Sequence, residues 1–143
     1  MVGKPNLEPV VIDASCLVDL LAGTDRAEAV RKRILRCEMH APAHLDLEVL
    51  SALGRLGRAG EFAETEVETA LGRLARAPIQ RHFPVNLIRG AWERRANIRL
   101  ADAVYVELAD QLATPLLTTD YRLARACSWA EPIGEQAEPV PSD

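Results

Sequence analysis

At 143 residues, with 48% hydrophobic and 27% charged side chains, the chain has the balance of one soluble globular domain large enough to bury its own core. A net charge of −4 excludes a general attraction to nucleic acid or acidic lipid, so a polyanion would have to be held by a local patch or through a metal ion. Cys16, Cys37 and Cys127 are too few and too scattered for a disulfide framework or a C-x-x-C zinc site, the first nine residues do not read as a secretory signal, and no apolar run is long enough to span a membrane, so a reducing, cytoplasmic setting is expected.

Val10-Val11-Ile12 is a β-branched run suited to a strand buried on both faces, and it stops on Asp13. Leu17, Val18, Leu20 and Leu21 then have the spacing of a buried helical stripe. Asp13 therefore belongs where a strand passes into a helix. Either Asp13 or Ser15 simply caps the helix there, or Asp13 is a site residue on the strand-end edge where ligands collect in open α/β sheets.

After the break at Gly23-Thr24-Asp25, Arg26 to Arg36 reads as an amphipathic helix with Ala27, Val30, Ile34 and Leu35 inward. Cys37 to Ala41 suits a strand ended by Pro42. His44 to Ala59 carries Leu45, Val49, Leu50, Leu53 and Leu56 at helical spacing, and Gly60 stops it. Glu64 to Arg76 is another helix, with Val67, Leu71 and Leu74 inward, closed by Pro78. Ile79 to Phe83 reads as a strand, and a helix over Asn86 to Arg95 follows Pro84.

Leu100 to Leu112 has the strongest helical pattern, with Val104, Leu108 and Leu112 on one stripe. Leu116-Leu117-Thr118-Thr119-Asp120 is a short apolar strand that again ends on a carboxylate, before a helix over Tyr121 to Cys127. Pro132-Ile133 suits an edge strand. Residues 1–134 are expected to form one domain and 135–143 a frayed tail. Strands alternating with helices imply parallel strands and right-handed crossovers, hence a three-layer α/β/α sandwich.

Four carboxylates then stand out. Asp13 and Asp120 end two strands, Glu48 shares a helix face with Leu45 and Ala52, and Asp102 opens the helix that carries Val106 and Ala109 on its own face. A carboxylate on an apolar face costs several kcal/mol unless it is paired or metal-bound, and no Lys or Arg lies within one turn of Glu48. Gathered at one edge, four acids would repel one another, and oxygen-only ligands favour Mg²⁺ or Mn²⁺ over zinc. Singly, each is equally at home as a helix cap or on a solvated face.

The segments Val11-Ile12-Asp13-Ala14-Ser15 with Leu17-Val18-Asp19-Leu20-Leu21, Pro42 through Glu48-Val49-Leu50-Ser51-Ala52-Leu53, Leu100-Ala101-Asp102 through Ala109, and Leu117-Thr118-Thr119-Asp120 through Ala124 together resemble a PIN-domain ribonuclease of the VapC toxin family, over about Val10 to Ile133. The resemblance makes Asp13, Glu48, Asp102 and Asp120 the catalytic, metal-binding acids of a Mg²⁺- or Mn²⁺-dependent endoribonuclease that leaves 5′-phosphate and 3′-hydroxyl ends. Asp46 is the alternative to Glu48, and the Glu-Val-x-x-Ala-Leu context favours Glu48. Leu100-Ala101 ahead of Asp102 departs from relatives that often carry a more polar or aromatic residue there.

Ser15 and Thr118 match the family's hydroxyl positions, where they orient carboxylates or water, or serve as local caps. The resemblance further implies a VapB-like antitoxin and a homodimer. The RNA target is left open among transfer, ribosomal and messenger RNA.

Arg81, Arg89, Arg94, Arg95 and Arg99 form the densest basic stretch, either an RNA-binding rim on which Trp92 stacks a base or a solvated helix face with Trp92 in the core. Cys16 has no histidine spaced for a dyad and reads as core, while His40, His44 and His82 read as surface or loop-edge residues. A phosphoacceptor domain would want a lysine after a late strand, and none follows Lys32. A haloacid-type phosphatase would want an aspartate where Ser15 stands. A non-catalytic module whose acidic groove takes a basic partner segment is the competing class.

Overall fold

A computed structural model describes residues 6–134, and the expected tail at 135–143 lies outside the described residues. The order of elements is β1 (Glu8–Ile12), α1 (Ala14–Ala22), α2 (Ala27–Ile34), β2 (Cys37–Pro42), α3 (Leu45–Arg58), α4 (Glu64–Arg76), β3 (Ile79–His82), α5 (Ile88–Glu93), α6 (Leu100–Leu112), β4 (Leu116–Thr118), α7 (Tyr121–Ala126) and β5 (Ala130–Pro132). The strands form one parallel sheet in the order β3-β2-β1-β4-β5.

From β1 the chain winds outward through β2 to β3, then crosses back and winds the other way through β4 to β5. Right-handed crossovers in opposite directions put their helices on opposite faces, which gives the three layers. Accordingly α1 packs with α2, α3 and α4, whereas α5 pairs with α6, which lies on β1 and β2. Val10, Val11 and Ile12 at the sheet centre are completely buried, as a strand covered on both faces requires.

The reversal of strand order falls between β1 and β4, and a crevice opens beyond the carboxyl ends of two strands that part this way. Asp13 directly follows β1, and Asp120 lies two residues beyond β4.

Several local expectations are corrected. Leu35 is 71% exposed because α2 ends at Ile34, one residue before the apolar spacing does. Leu50 is 48% exposed because α3 buries the narrower stripe Leu45, Val49 and Leu53. Phe83 lies past the end of β3, and the expected Asn86–Arg95 helix is a single 3₁₀ turn at Pro84–Asn86 followed by the short α5. The edge strand is Ala130–Pro132 rather than Pro132-Ile133, although Ile133 stays bonded to the sheet through its N–H, which donates to Thr118 O at 2.8 Å.

On α6 the buried face is Ala103, Tyr105, Val106, Leu108 and Ala109, with Val104 and Leu112 only half-buried. His40 is buried rather than superficial, because β2 is an inner strand with neighbours on both sides. His82 lies against it, and neither it nor His44 is fully exposed.

Candidate functional site

Asp13 caps α1, with one carboxylate oxygen accepting from Cys16 N–H at 3.1 Å and from Ser15 Oγ at 2.6 Å. The other oxygen accepts from Thr118 Oγ1 on β4. The residue is therefore a cap and also a tie across the switch point. Only 6% of its surface is exposed, and burial pushes its carboxyl up to about 6 against the pull of Ser15, Thr118 and Cys16.

Both hydroxyls that contact Asp13 also brace the next loop. Ser15 Oγ accepts from Thr119 N–H at 3.2 Å, and Thr118 Oγ1 accepts from Asp120 N–H at 2.9 Å. Ser15 and Thr118 thus orient a carboxylate and cap backbone at once.

Glu48, in the first turn of α3, is half-buried. Its Oε1 accepts from Tyr105 Oη at 2.8 Å, and His44 Nε2, one helical turn earlier, stands 3.1 Å from the same oxygen. Burial alone would raise this carboxyl, but His44 and Tyr105 outweigh it and hold Glu48 below the usual carboxylate range. The phenol of Tyr105 moves the opposite way, far upward, through burial first and then through the charges of Glu48, Asp13 and Asp102.

Asp102, in the first turn of α6, faces Arg99 Nε at 3.1 Å. Asp120 caps α7 by accepting from Arg122 N–H at 3.0 Å and pairs with Arg122 Nη2 at 3.2 Å. Against the upward push of burial, that arginine holds the Asp120 carboxyl low. Asp120 lies between two cavities. A cleft of about 620 Å³ is shared with Ser15, Asp19, Glu48 and Thr119, and a smaller hollow of about 110 Å³ is shared with Arg99, Asp102 and Arg122.

The donor chemistry, carboxylate and hydroxyl oxygen alone, fits a hard divalent cation. As placed, each acid is satisfied by a neighbour of its own, and among the described residues no three acid, histidine or cysteine side chains already stand in one ligand shell.

Other expected residues lie elsewhere. Asp46 pairs with Arg81 Nε at 3.0 Å, and Arg81 also donates to the carbonyls of Leu74, Ala77 and Ile79. Arg94 is held by Glu107 at 3.0 Å and Asp110 at 2.9 Å. Arg95 lies 4.4 Å over the ring of Trp92, which is 55% exposed and so not a core residue. Arg89 is exposed, without an ion-pair partner among the described residues. Of the five arginines only Arg99 touches one of the four acids Asp13, Glu48, Asp102 and Asp120.

Sequence reasoning missed His44 and Tyr105, although His44 precedes Glu48 by four residues and Tyr105 follows Asp102 by three, spacings that share a helix face. It also missed Arg26 and Arg55, which line the larger cleft beside Glu48 and Asp120. Asp19 lines it too, with both oxygens engaged by the hydroxyls of Thr24 at 2.8 Å and Thr119 at 2.6 Å.

Residues 10–128 match the PIN domain family. The chain is 56% identical over 128 residues to Ribonuclease VapC3 of Mycobacterium tuberculosis, covering 89% of this chain and 93% of that protein. Among solved structures it is similar to PAE2754 from Pyrobaculum aerophilum, with TM-score 0.64 and 23% identity over 87% of this chain and 82% of that one. It is also similar to Mycobacterium tuberculosis VapC20, described as a sarcin-ricin loop cleaving toxin, with TM-score 0.62 and 15% identity over 82% of this chain and 94% of that one. At these identities the two structures speak for the fold.

Proposed function

This chain belongs to the VapC family of PIN-domain ribonucleases, and from that premise we propose that it is the toxin of a toxin-antitoxin pair, a Mg²⁺- or Mn²⁺-dependent endoribonuclease. The observation that carries this is the tie between Asp13 and Thr118 across the β1/β4 switch point, with Glu48 and Asp120 lining one cleft and Asp102 and Asp120 lining a smaller hollow. Asp13, Glu48, Asp102 and Asp120 would hold the cation, which supplies Lewis-acid charge for the phosphoryl oxygens and activation of the attacking water.

The side chains have their own tasks. Ser15 and Thr118 fix both oxygens of Asp13, so the most buried acid needs no reorganisation when the substrate arrives. Tyr105 and His44 hold Oε1 of Glu48 and leave its other oxygen for the site. No side-chain nucleophile is called for. Cys16, the nearest thiol, is buried and pushed well up by that burial and by Asp13, so it stays protonated. Water attack in line with the 3′ oxygen gives 5′-phosphate and 3′-hydroxyl products.

The substrate is a transfer, ribosomal or messenger RNA in the cytoplasm, and a VapB-like antitoxin and a second copy of the chain are the expected partners. To test this, purified chain is incubated with total RNA, with and without Mg²⁺ and EDTA, and fragment ends are mapped. Discrete cuts that need Mg²⁺, vanish with EDTA and are abolished by Asp13→Asn or Asp102→Asn are expected. Intact RNA under every condition would leave a binding module instead.

A further inference from the structure

We propose that Arg26 and Arg55 form a phosphate-binding wall that grips the backbone of a single-stranded RNA segment beside the bond to be cut, an inference that rests on the nuclease function above. The chain carries net negative charge and its cleft is lined by acids, so the strand must find local cations. Of the arginines beside the four acids, Arg99 and Arg122 are paired with Asp102 and Asp120. Arg26 and Arg55, in the larger cleft, are exposed and make no ion pair among the described residues. They are the cations that a phosphate could meet without breaking an existing pair.

Their placement is built rather than incidental. The guanidinium of Arg26 lies 5.2 Å from the centroid of the Tyr121 ring, so an aromatic face orients it where an acid would have neutralised it. Its backbone N–H bonds to Thr24 Oγ1, which donates to Asp19, whose other oxygen accepts from Thr119, the residue before Asp120. Arg26 is thereby tied to the strand end that carries Asp120. Asp19, the acid that could have captured it, is already occupied by the two threonine hydroxyls.

Arg55 follows Glu48 by seven residues, two turns along the same face of α3 and about 10 Å further along its axis. Ser51 and Ala52 lie between them and are small enough to leave the wall open. The two arginines line the larger cleft, whereas Arg99 lines the smaller hollow.

Binding of a 5′-labelled, mixed-sequence single-stranded RNA is measured by fluorescence anisotropy across a salt series, in the Asp13→Asn background so that nothing is cut. Cleavage of total RNA is followed in parallel without that change. R26A/R55A is expected to weaken binding about tenfold or more and to lower the slope of log affinity against log salt by ~1.4, about 0.7 for each lost phosphate contact on a single strand. R58A, which removes one positive charge from α3 outside the cleft, should do neither. Thermal melting checks that the variants fold.

If R26A/R55A binds RNA like R58A while the unaltered chain still cleaves, the wall assignment is overturned and the nuclease function stands. Unchanged RNA affinity with lost antitoxin binding would assign the wall to a protein partner and also overturn it. An unaltered chain that neither binds nor cuts any RNA removes both.

Discussion

Tyr105 and Glu48, 57 residues apart in sequence, meet at 2.8 Å through a phenol hydroxyl that donates to a half-buried carboxylate, joining α6 to α3 at the edge of the candidate site. Hydrogen bonds to charged groups contribute more than neutral ones, and Tyr105→Phe removes this one while keeping the ring. The substitution should cost about 1–2 kcal/mol of stability and lower kcat about tenfold with KM little changed. Urea melts and steady-state cleavage of a defined RNA read the two effects separately. Wild-type kcat in a destabilised variant would make Tyr105 a packing residue only.

His82 gives a pH dependence whose sign can be worked out. Burial first, and then the neighbouring His40 ring nitrogen at 2.9 Å, hold its pKa below the ordinary histidine value. The unfolded chain therefore takes up a proton before the folded one does as pH falls. The His82 contribution to stability is full above about pH 6.5 and declines below it, whereas the raised Asp13 carboxyl acts the other way below about pH 6. Between pH 8 and pH 5.5 the melting temperature of the wild type should therefore drop relative to that of His82→Gln, which keeps Asp13; parallel curves for the two proteins would place the acid lability elsewhere.

Gly90 on α5 lies against the Glu107 carboxylate of α6, and a Cβ there would overlap it. Glu107 is not free to swing aside, since Arg94 and Gln111 both donate to it at 3.0 Å. Gly90→Ala should therefore destabilise the protein by about 1–3 kcal/mol, although alanine is the better helix former. In a Glu107→Ala background the same change should become neutral or stabilising. A double-mutant cycle showing no coupling would refute the contact as the cause.

Arg122 and a divalent ion are expected to compete for Asp120, whose pairing distance to the guanidinium is 3.2 Å. Arg122→Ala should strengthen Mn²⁺ binding several-fold in calorimetry and enlarge the thermal upshift that Mn²⁺ produces. Identical Mn²⁺ affinity in the two proteins would contradict the competition.

Much of this architecture could be read from local chemistry. The Val10-Val11-Ile12 run, completely buried in β1, placed Asp13 at a strand end, and the apolar run from Leu116 pointed to Asp120 in the same way, although β4 stops at Thr118 and Asp120 caps α7. The arginines were less legible. Their density between Arg81 and Arg99 suggested a basic rim, but Arg81 is taken up by Asp46 and Arg94 by Glu107 and Asp110, acids distant in sequence that only the fold brings near. Arg26 and Arg55, 29 residues apart, give no sign in sequence that they share a cleft, which is assembled from α1, the turn before α2, α3 and the loop after β4. His40 was misplaced because a short run in which Glu38 and His40 alternate with Cys37, Met39 and Ala41 gives no sign of whether its strand is inner or outer.

The bond from Ile133 N–H to Thr118 O fastens the last described turn of chain to the three-residue β4, whose Thr118 in turn fixes Asp13. Mechanical load applied through that end of the molecule would strip β5 first and slacken the Asp13 tie while the central strands still held. Immobilisation or fusion through the far rim of the sheet would spare it, and a protease nicking the Ala126–Trp129 connection would silence the toxin long before it melted.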